Sequence, residues 1–220
     1  MISSATFAFL KELKENNNRE WFNANKARHE EAKNNVLEFV NNLIPELVKV
    51  DKNVPATLSA KDCVMRIYRD IRFSLNKTPY KTNFGAGISP DGKNFKGPGY
   101  YIHIEPNNSF VAGGSWFPES NELKAIRQEI DYNYPSFESI IEASAFKNYF
   151  GSLDQEGALK TAPKGYSSDH PHIDIMKLKS FTVSSFINNE QLESKGSVKI
   201  ISEGFEYMYP FINFLRNAIA

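Results

Sequence analysis

The stretch YYIHIEPNNSFVAGGSW, residues 100–116, decides how the chain folds. Tyr100, Ile102 and Ile104 fall on one face of its first half and Tyr101, His103 and Glu105 on the other, the period of two that a strand imposes. Pro106-Asn107-Asn108-Ser109 interrupts the alternation before a second apolar run at 110–116, so the segment reads as a β-hairpin. Its apolar face packs against helices, and its polar aromatic face looks toward a cleft or solvent. Gly113-Gly114 closes the second strand and leaves room for a ligand or another chain segment.

Upstream the pattern changes to helical. Ser4 or Thr6 caps a first helix in which Phe7, Leu10 and Leu13 share a face, and Asn16-Asn17-Asn18 stops it and caps the next. Trp21 and Phe22 anchor the helical layer. A long helix over 26–48 follows, its stripe Val36, Val40, Leu43 and Leu47 dry and its charged first half wet. Pro45 kinks it or marks a break near Leu43. Residues 51–62 read as a linker, 66–73 as a strand, 74–81 as an ordered loop, 84–88 as a short glycine-bearing strand and 92–99 as a flexible turn.

Downstream, Pro118 with Glu119 and Glu122 starts a helix carrying Leu123, Ile126, Arg127 and Ile130. One or two short helices at 132–149, a loop to Tyr166, a short helix at 173–178, a strand at 181–187 and a last helix over 196–218, bent by Pro210, complete the chain. Helices at both ends flanking central strands, with no repeat or linker dividing them, give an α+β fold. The expected organisation is a single domain over 1–220 with an antiparallel or mixed sheet.

Composition narrows the class. Hydrophobic residues at 41% and charged residues at 24% are those of an ordinary soluble globular protein. The net charge of +0 disfavours generic nucleic-acid binding and leaves only local electrostatic steering. A single cysteine, Cys63, precludes an internal disulfide and fits a reducing compartment. The N-terminal segment lacks the pattern of a signal peptide or a membrane span, so the expected location is cytoplasmic, with no membrane partner. Oligomeric state is not encoded in any pattern here.

The positive charge concentrates in VMRIYRDIRFSLNKTPYKTNF, residues 64–84, which holds five of the chain's 26 cations and one of its 26 anions. Arg66, Arg69, Arg72, Lys77 and Lys81, with Tyr80, suit a small phosphate- or carboxylate-bearing ligand, because guanidinium groups grip such anions in parallel hydrogen bonds and lysines add mobile charge. Strand alternation sends Arg69 to the face opposite Arg66 and Arg72. On this reading, neutralising Arg66 and Arg72 together abolishes binding. His103 and Tyr101 are the candidates for proton transfer, with Asp70 orienting an arginine.

Each has a plainer reading. Arg66, Asp70 and Arg72 can form a cross-strand ion network, and His103 can be structural. His170 and His172, with Asp169 and Asp174, lack metal-site spacing, so no metal is assigned. Cys63 reads as a buried spectator. The Gly85-Ala86-Gly87 and Gly113-Gly114 pairs match no nucleotide fingerprint, and no pattern names a cofactor. Two other classes stand beside the anion pocket: a nucleic-acid module with Tyr68, Tyr80 and Tyr101 stacking on bases, and an interaction or structural domain in which the arginines are internal ion pairs.

The ordered set Arg66-Ile-Tyr68-Arg69-Asp70-Ile-Arg72-Phe73, Lys77-Thr78-Pro79-Tyr80-Lys81-Thr-Asn83, Pro98-Gly99-Tyr100-Tyr101-Ile-His103-Ile, Gly113-Gly114-Ser-Trp116-Phe-Pro118, Leu123 with Arg127, and Ala162-Pro163-Lys164-Gly165-Tyr166 resembles the bacterial and fungal family known as domain of unknown function 2461. The resemblance covers nearly the whole chain. It implies one full-length domain and brings no assigned activity, cofactor or catalytic residue.

Overall fold

A computed structural model describes residues 1–220. The helices and strands run α1 Ser4–Glu15, α2 Arg19–Ala24, α3 Lys26–Val50, α4 Ala60–Cys63, β1 Phe84–Ile88, β2 Gly99–Ile104, β3 Ser109–Ser115, α5 Ser120–Tyr132, α6 Tyr134–Ile141, α7 Ser144–Phe150, α8 Ile173–Met176, β4 Phe181–Ile187, α9 Asn189–Glu193 and α10 Ser197–Ala218. The fold is α+β, with one four-stranded antiparallel sheet in the order β1-β2-β3-β4. Neighbouring strands are consecutive in sequence, so the sheet is a meander with α5–α8 inserted between β3 and β4. The hairpin alternates as its sequence predicts: Tyr100, Ile102 and Ile104 are buried, while Tyr101, His103 and Glu105 are half-buried.

The chain resolves into two compact units, each discontinuous in sequence. The first comprises Met1–Phe95, Tyr101–Val111 and Phe186–Gly204, and the second Lys96–Tyr100, Ala112–Ser185 and Phe205–Ala220.

In the first unit, α1 is capped one residue earlier than its sequence predicts. Ser3 accepts from the Thr6 amide, and Asn35 of α3 accepts from both the Ser3 amide and the Thr6 hydroxyl at 2.9 Å, so the cap also docks α1 on α3. Asn18 caps α2 by accepting from the Trp21 amide at 2.9 Å. Helix α3 does not break at Pro45. Leu43, Ile44 and Leu47 are buried on either side of it, and Pro45 itself is exposed, so burial holds the helix past the missing amide. The charged first half of α3 is not uniformly wet either, since His29 and Ala32 are buried. The expected linker contains α4, started by a Ser59–Asp62 capping box. The expected flexible turn after β1 is a short 3-10 turn, Gly92–Asn94, which Lys93 ties to the Lys61 carbonyl at 2.6 Å.

The segment expected as a strand over 66–73 is irregular. It makes two isolated antiparallel bridges, Val64 with Ala86 and Tyr68 with Tyr80. Beyond Arg69 the side chains close turns instead of a ladder: Asp70 accepts from the Arg72 amide at 3.2 Å and Asn76 from the Thr78 amide at 2.9 Å, an alternative that short polar side chains offer the backbone. Ile67 is buried as the alternation requires, but Phe73, on the same expected face, is fully exposed.

His29 is buried between rings, 4.9 Å from Phe22 and 6.2 Å from Phe84. Burial holds its imidazole below the ordinary histidine range, opposed by the Glu30 carboxylate at 3.3 Å. The folded state therefore binds this proton less readily than the unfolded state, so stability is full above the unfolded value and lost as pH falls below it. Acidification from about pH 7 to about pH 5.5 should lower the melting temperature. A His29→Leu variant should give a flatter profile, and identical profiles would remove His29 as the cause.

In the second unit, Gly114 adopts φ +123°, and a Cβ there would strike the Phe181 carbonyl; one on Gly113 would strike Met208. The room expected at this glycine pair is filled by the chain itself. Glu119 and Glu122 form a capping box at the start of α5, whose Ile126 and Ile130 are fully buried. Pro210 leaves α10 unbroken for the reason that applies to Pro45: it is exposed, with Phe211, Ile212 and Leu215 buried beyond it. No helix is long and apolar enough to cross a membrane.

Candidate functional site

The first unit contains a recess of about 250 Å³ lined by Asn17, Arg69, Asn76, Thr78, Tyr80, Lys81, Thr82 and Asn83. Its floor is set by aromatic packing. Tyr80 is buried and stacks on Phe22 at 3.9 Å with the rings 13° apart, and Tyr68 leans on it at 5.5 Å. The Asn17 side chain fixes the Tyr80 backbone as a strand neighbour would, accepting from its amide at 3.1 Å and donating to its carbonyl at 3.0 Å. Two backbone bonds finish the frame, from Arg69 to the Pro79 carbonyl at 2.9 Å and from Lys81 to the Ile67 carbonyl at 2.7 Å.

Two cations face this frame in different states. The Arg69 guanidinium is committed, donating to the Thr78 carbonyl at 3.1 Å, to the Thr78 hydroxyl and to Ser74 at 3.4 Å. Lys81 is half-buried, and its ammonium makes no hydrogen bond or ion pair. Burial pushes its pKa down, and the neighbouring Arg66 pushes it further. A half-buried cation with a like-charged neighbour and no counter-ion is an energetic liability that an anion relieves.

A polar chain lies beside the recess on the outer face of β2. The Tyr101 hydroxyl meets His103 Nδ1 at 3.1 Å, and His103 Nε2 meets Glu105 Oε2 at 3.2 Å. Glu105 also accepts from Thr82 at 3.1 Å and from Asn108 at 2.9 Å. Burial alone would raise its carboxyl pKa, but the hydrogen bonds from Asn108, His103 and Thr82 outweigh that and keep it below the usual range. The His103 ring stacks on Phe110 at 4.6 Å. Asn83 Nδ2 donates to Nδ1 at 3.3 Å, so Nδ1 is an acceptor and the ring proton sits on Nε2, facing the carboxylate. Burial, then the Glu105 charge, pushes the Tyr101 phenol up to about 12. Gly85 makes room for that hydroxyl, since a Cβ there would overlap it.

Of the candidate residues, the fold gathers Arg69, Tyr80 and Lys81 around the recess and sets His103 and Tyr101 against its wall through Asn83. Arg66 is exposed and is not among the residues that line this recess. Arg72 is exposed and paired to Asp70, its Nη2 2.6 Å from the carboxylate, which is the ion-pair reading for those two residues. Lys77 is spent on the Ile71 carbonyl at 3.0 Å. Asn17, Asn76, Thr78, Thr82, Asn83 and Glu105 join the site without having been singled out. The sequence held a signal for three of them: Thr78 and Asn83 stand in the ordered motif set, and Glu105 shares a strand face with His103.

Elsewhere, His170 bonds Asp131 at 2.8 Å and accepts at Nδ1 from the His172 amide at 3.1 Å, while His172 stacks on Tyr134 at 3.2 Å. These histidines tie the loop before α8 to α5 and α6. Burial raises the Cys63 thiol to about 11, leaving it a protonated spectator at neutral pH.

Fold and site together define an α+β protein with a cation-bearing, amide-lined recess backed by a tyrosine–histidine–glutamate chain. The chain belongs to the conserved hypothetical protein family DUF2461, which it matches over residues 5–214. No curated protein and no solved structure matches it.

Proposed function

We propose that the recess binds a small anionic ligand bearing a phosphate or carboxylate group. The observation that carries this reading is Lys81, half-buried beside Arg66 and unpaired within the chain. No carboxylate pairs with it: Asp70 is engaged by Arg72, and Glu105 by His103, Thr82 and Asn108. The amides of Asn17, Asn76 and Asn83 and the hydroxyls of Thr78 and Thr82 add neutral hydrogen-bonding groups around the charge, an arrangement that fixes orientation while lysine supplies attraction. His103 and Tyr101 are the groups placed to exchange a proton with such a ligand if the site is catalytic.

Titration calorimetry with sulfate, a sugar phosphate and a dicarboxylate tests the reading, with a single-stranded oligonucleotide as the competing class. At least one small anion should bind. An Arg66→Ala/Arg72→Ala protein should retain that binding within about threefold, as expected for exposed charges outside the recess. Binding to the oligonucleotide alone, with affinity falling steeply in salt, would replace the pocket by a nucleic-acid surface. Loss of small-anion binding in the double variant would move the site onto the exposed arginines.

A further inference from the structure

The recess and the His103 chain share two residues. Asn83 and Thr82 line the cavity, and the same side chains bond His103 Nδ1 and Glu105 Oε1. The protonation state of His103 is therefore written into the recess wall. With the ring neutral, Asn83 must direct its NH2 group at Nδ1, and its carbonyl oxygen occupies the other branch of the amide. When Nδ1 takes a proton it becomes a donor. Its one proton can go to the Tyr101 hydroxyl or to Asn83. In either case an NH2 group facing that N–H is repelled, so Asn83 rotates to turn its oxygen toward the ring and the NH2 group exchanges places with it. The Asn83 amide, which lines the recess, so exchanges its donor and acceptor ends, and a positive imidazolium stands behind it.

We infer that the anion in the recess is bound together with a proton taken up by His103, with Asn83 as the coupling residue. The inference rests on the anion-site reading above and adds its regulation. Proton bookkeeping is simple: one proton from solvent forms an Nδ1–H bond, nothing leaves, and the imidazolium charge is balanced by Glu105 at 3.2 Å and by the incoming anion. Tyr101 can adapt, because its hydroxyl donates to a neutral ring and accepts from a protonated one. The groups contacting the ring are few. They are Tyr101 and Glu105 from β2, Asn83 from the lead into β1, and Phe110 from β3, so Glu105 is the one charged neighbour in contact with it. Glu105 is a positioning residue here. It holds the proton on Nε2 in the resting state and keeps the Nδ1 lone pair turned toward Tyr101 and Asn83.

Sulfate is the suitable probe, because its own charge stays constant where imidazoles titrate. Its dissociation constant should fall as pH is lowered from about 8 to about 6, approaching at most about tenfold per pH unit for one linked proton. Calorimetry in two buffers of different ionisation heat should show uptake approaching one proton per sulfate. Nitrogen-15 spectra of the histidine-labelled wild-type protein should show Nδ1 of His103 gaining its proton on sulfate addition, which requires no variant to fold. In His103→Gln the pH dependence should disappear. Sulfate binding with unchanged affinity across this range and no proton uptake would overturn the coupling and leave the anion site standing. Persistent pH dependence in His103→Gln would also overturn it and assign the proton to Lys81. Absence of binding at every pH by sulfate, the sugar phosphate and the dicarboxylate alike would instead overturn the anion site itself, and the coupling with it.

Discussion

Replacing Lys81 by methionine should raise the melting temperature of the ligand-free protein and weaken sulfate binding by one to two orders of magnitude. The two effects have one cause. Methionine keeps most of the apolar stem and removes a charge that is half-buried, next to Arg66 and unpaired. Relief of that strain should add about 1 kcal/mol, in the range of other single stabilising substitutions, or about 2–4 °C for a chain of this length. The affinity change runs the other way. A hydrogen bond to a charged group contributes roughly 1.5–3 kcal/mol, so sulfate should bind about 10- to 100-fold more weakly. Thermal melts with and without sulfate measure both quantities on one sample: the wild type should gain stability from the anion and Lys81→Met far less. A variant that melts lower and still responds to sulfate would make Lys81 a structural residue and empty the recess of its main attraction.

What the sequence made legible follows from which interactions are local. The hairpin, β1 and β4 are periodic or bounded by turn residues within a few positions, so their existence and type could be read, with the limits of β1 and β4 exact and both hairpin strands one residue early in the fold. The strand expected at 66–73 failed because Asp70 and Asn76 spend their side chains on nearby amides, a choice that alternation cannot display. The recess was half legible. A run of cations marked the segment, but Lys81 differs from Arg72 and Lys77 only in what surrounds it after folding: Asp70 engages Arg72 and the Ile71 carbonyl engages Lys77. Asn17 lies 63 residues from Tyr80, and nothing in its neighbourhood announces that its amide will complete a backbone pair there. Asp70 was read as orienting an arginine, and it pairs with Arg72, but the carboxylate that serves the histidine was not singled out. In the fold, Glu105 bonds the histidine, two positions along the same strand face.

Phe22→Ala should weaken anion binding although Phe22 touches no ligand. The ring is buried, lies at 3.9 Å and nearly parallel to Tyr80, and also packs against Phe9 and His29. Truncating such a side chain costs about 3–5 kcal/mol through lost burial and the cavity left behind, a large share of the roughly 5–15 kcal/mol that holds an ordinary domain together. Protein that remains folded has then lost the ring under Tyr80, and that part of the loop keeps only the Asn17 amide, the Tyr68 ring and its two backbone bonds to residues 67–69. Lys81 follows Tyr80 directly, so its ammonium and the Thr82 and Asn83 side chains lose their fixed positions, and sulfate should bind several-fold more weakly at a temperature where the variant is still native by circular dichroism. Phe39→Ala is the matched control: Phe39 of α3 is equally buried and outside this stack, so it should lose comparable stability and keep its affinity. Equal loss of affinity in both variants would mean that binding merely tracks global stability. Loss confined to Phe22→Ala would show that the aromatic stack between α2 and the loop is what holds the unpaired lysine in place.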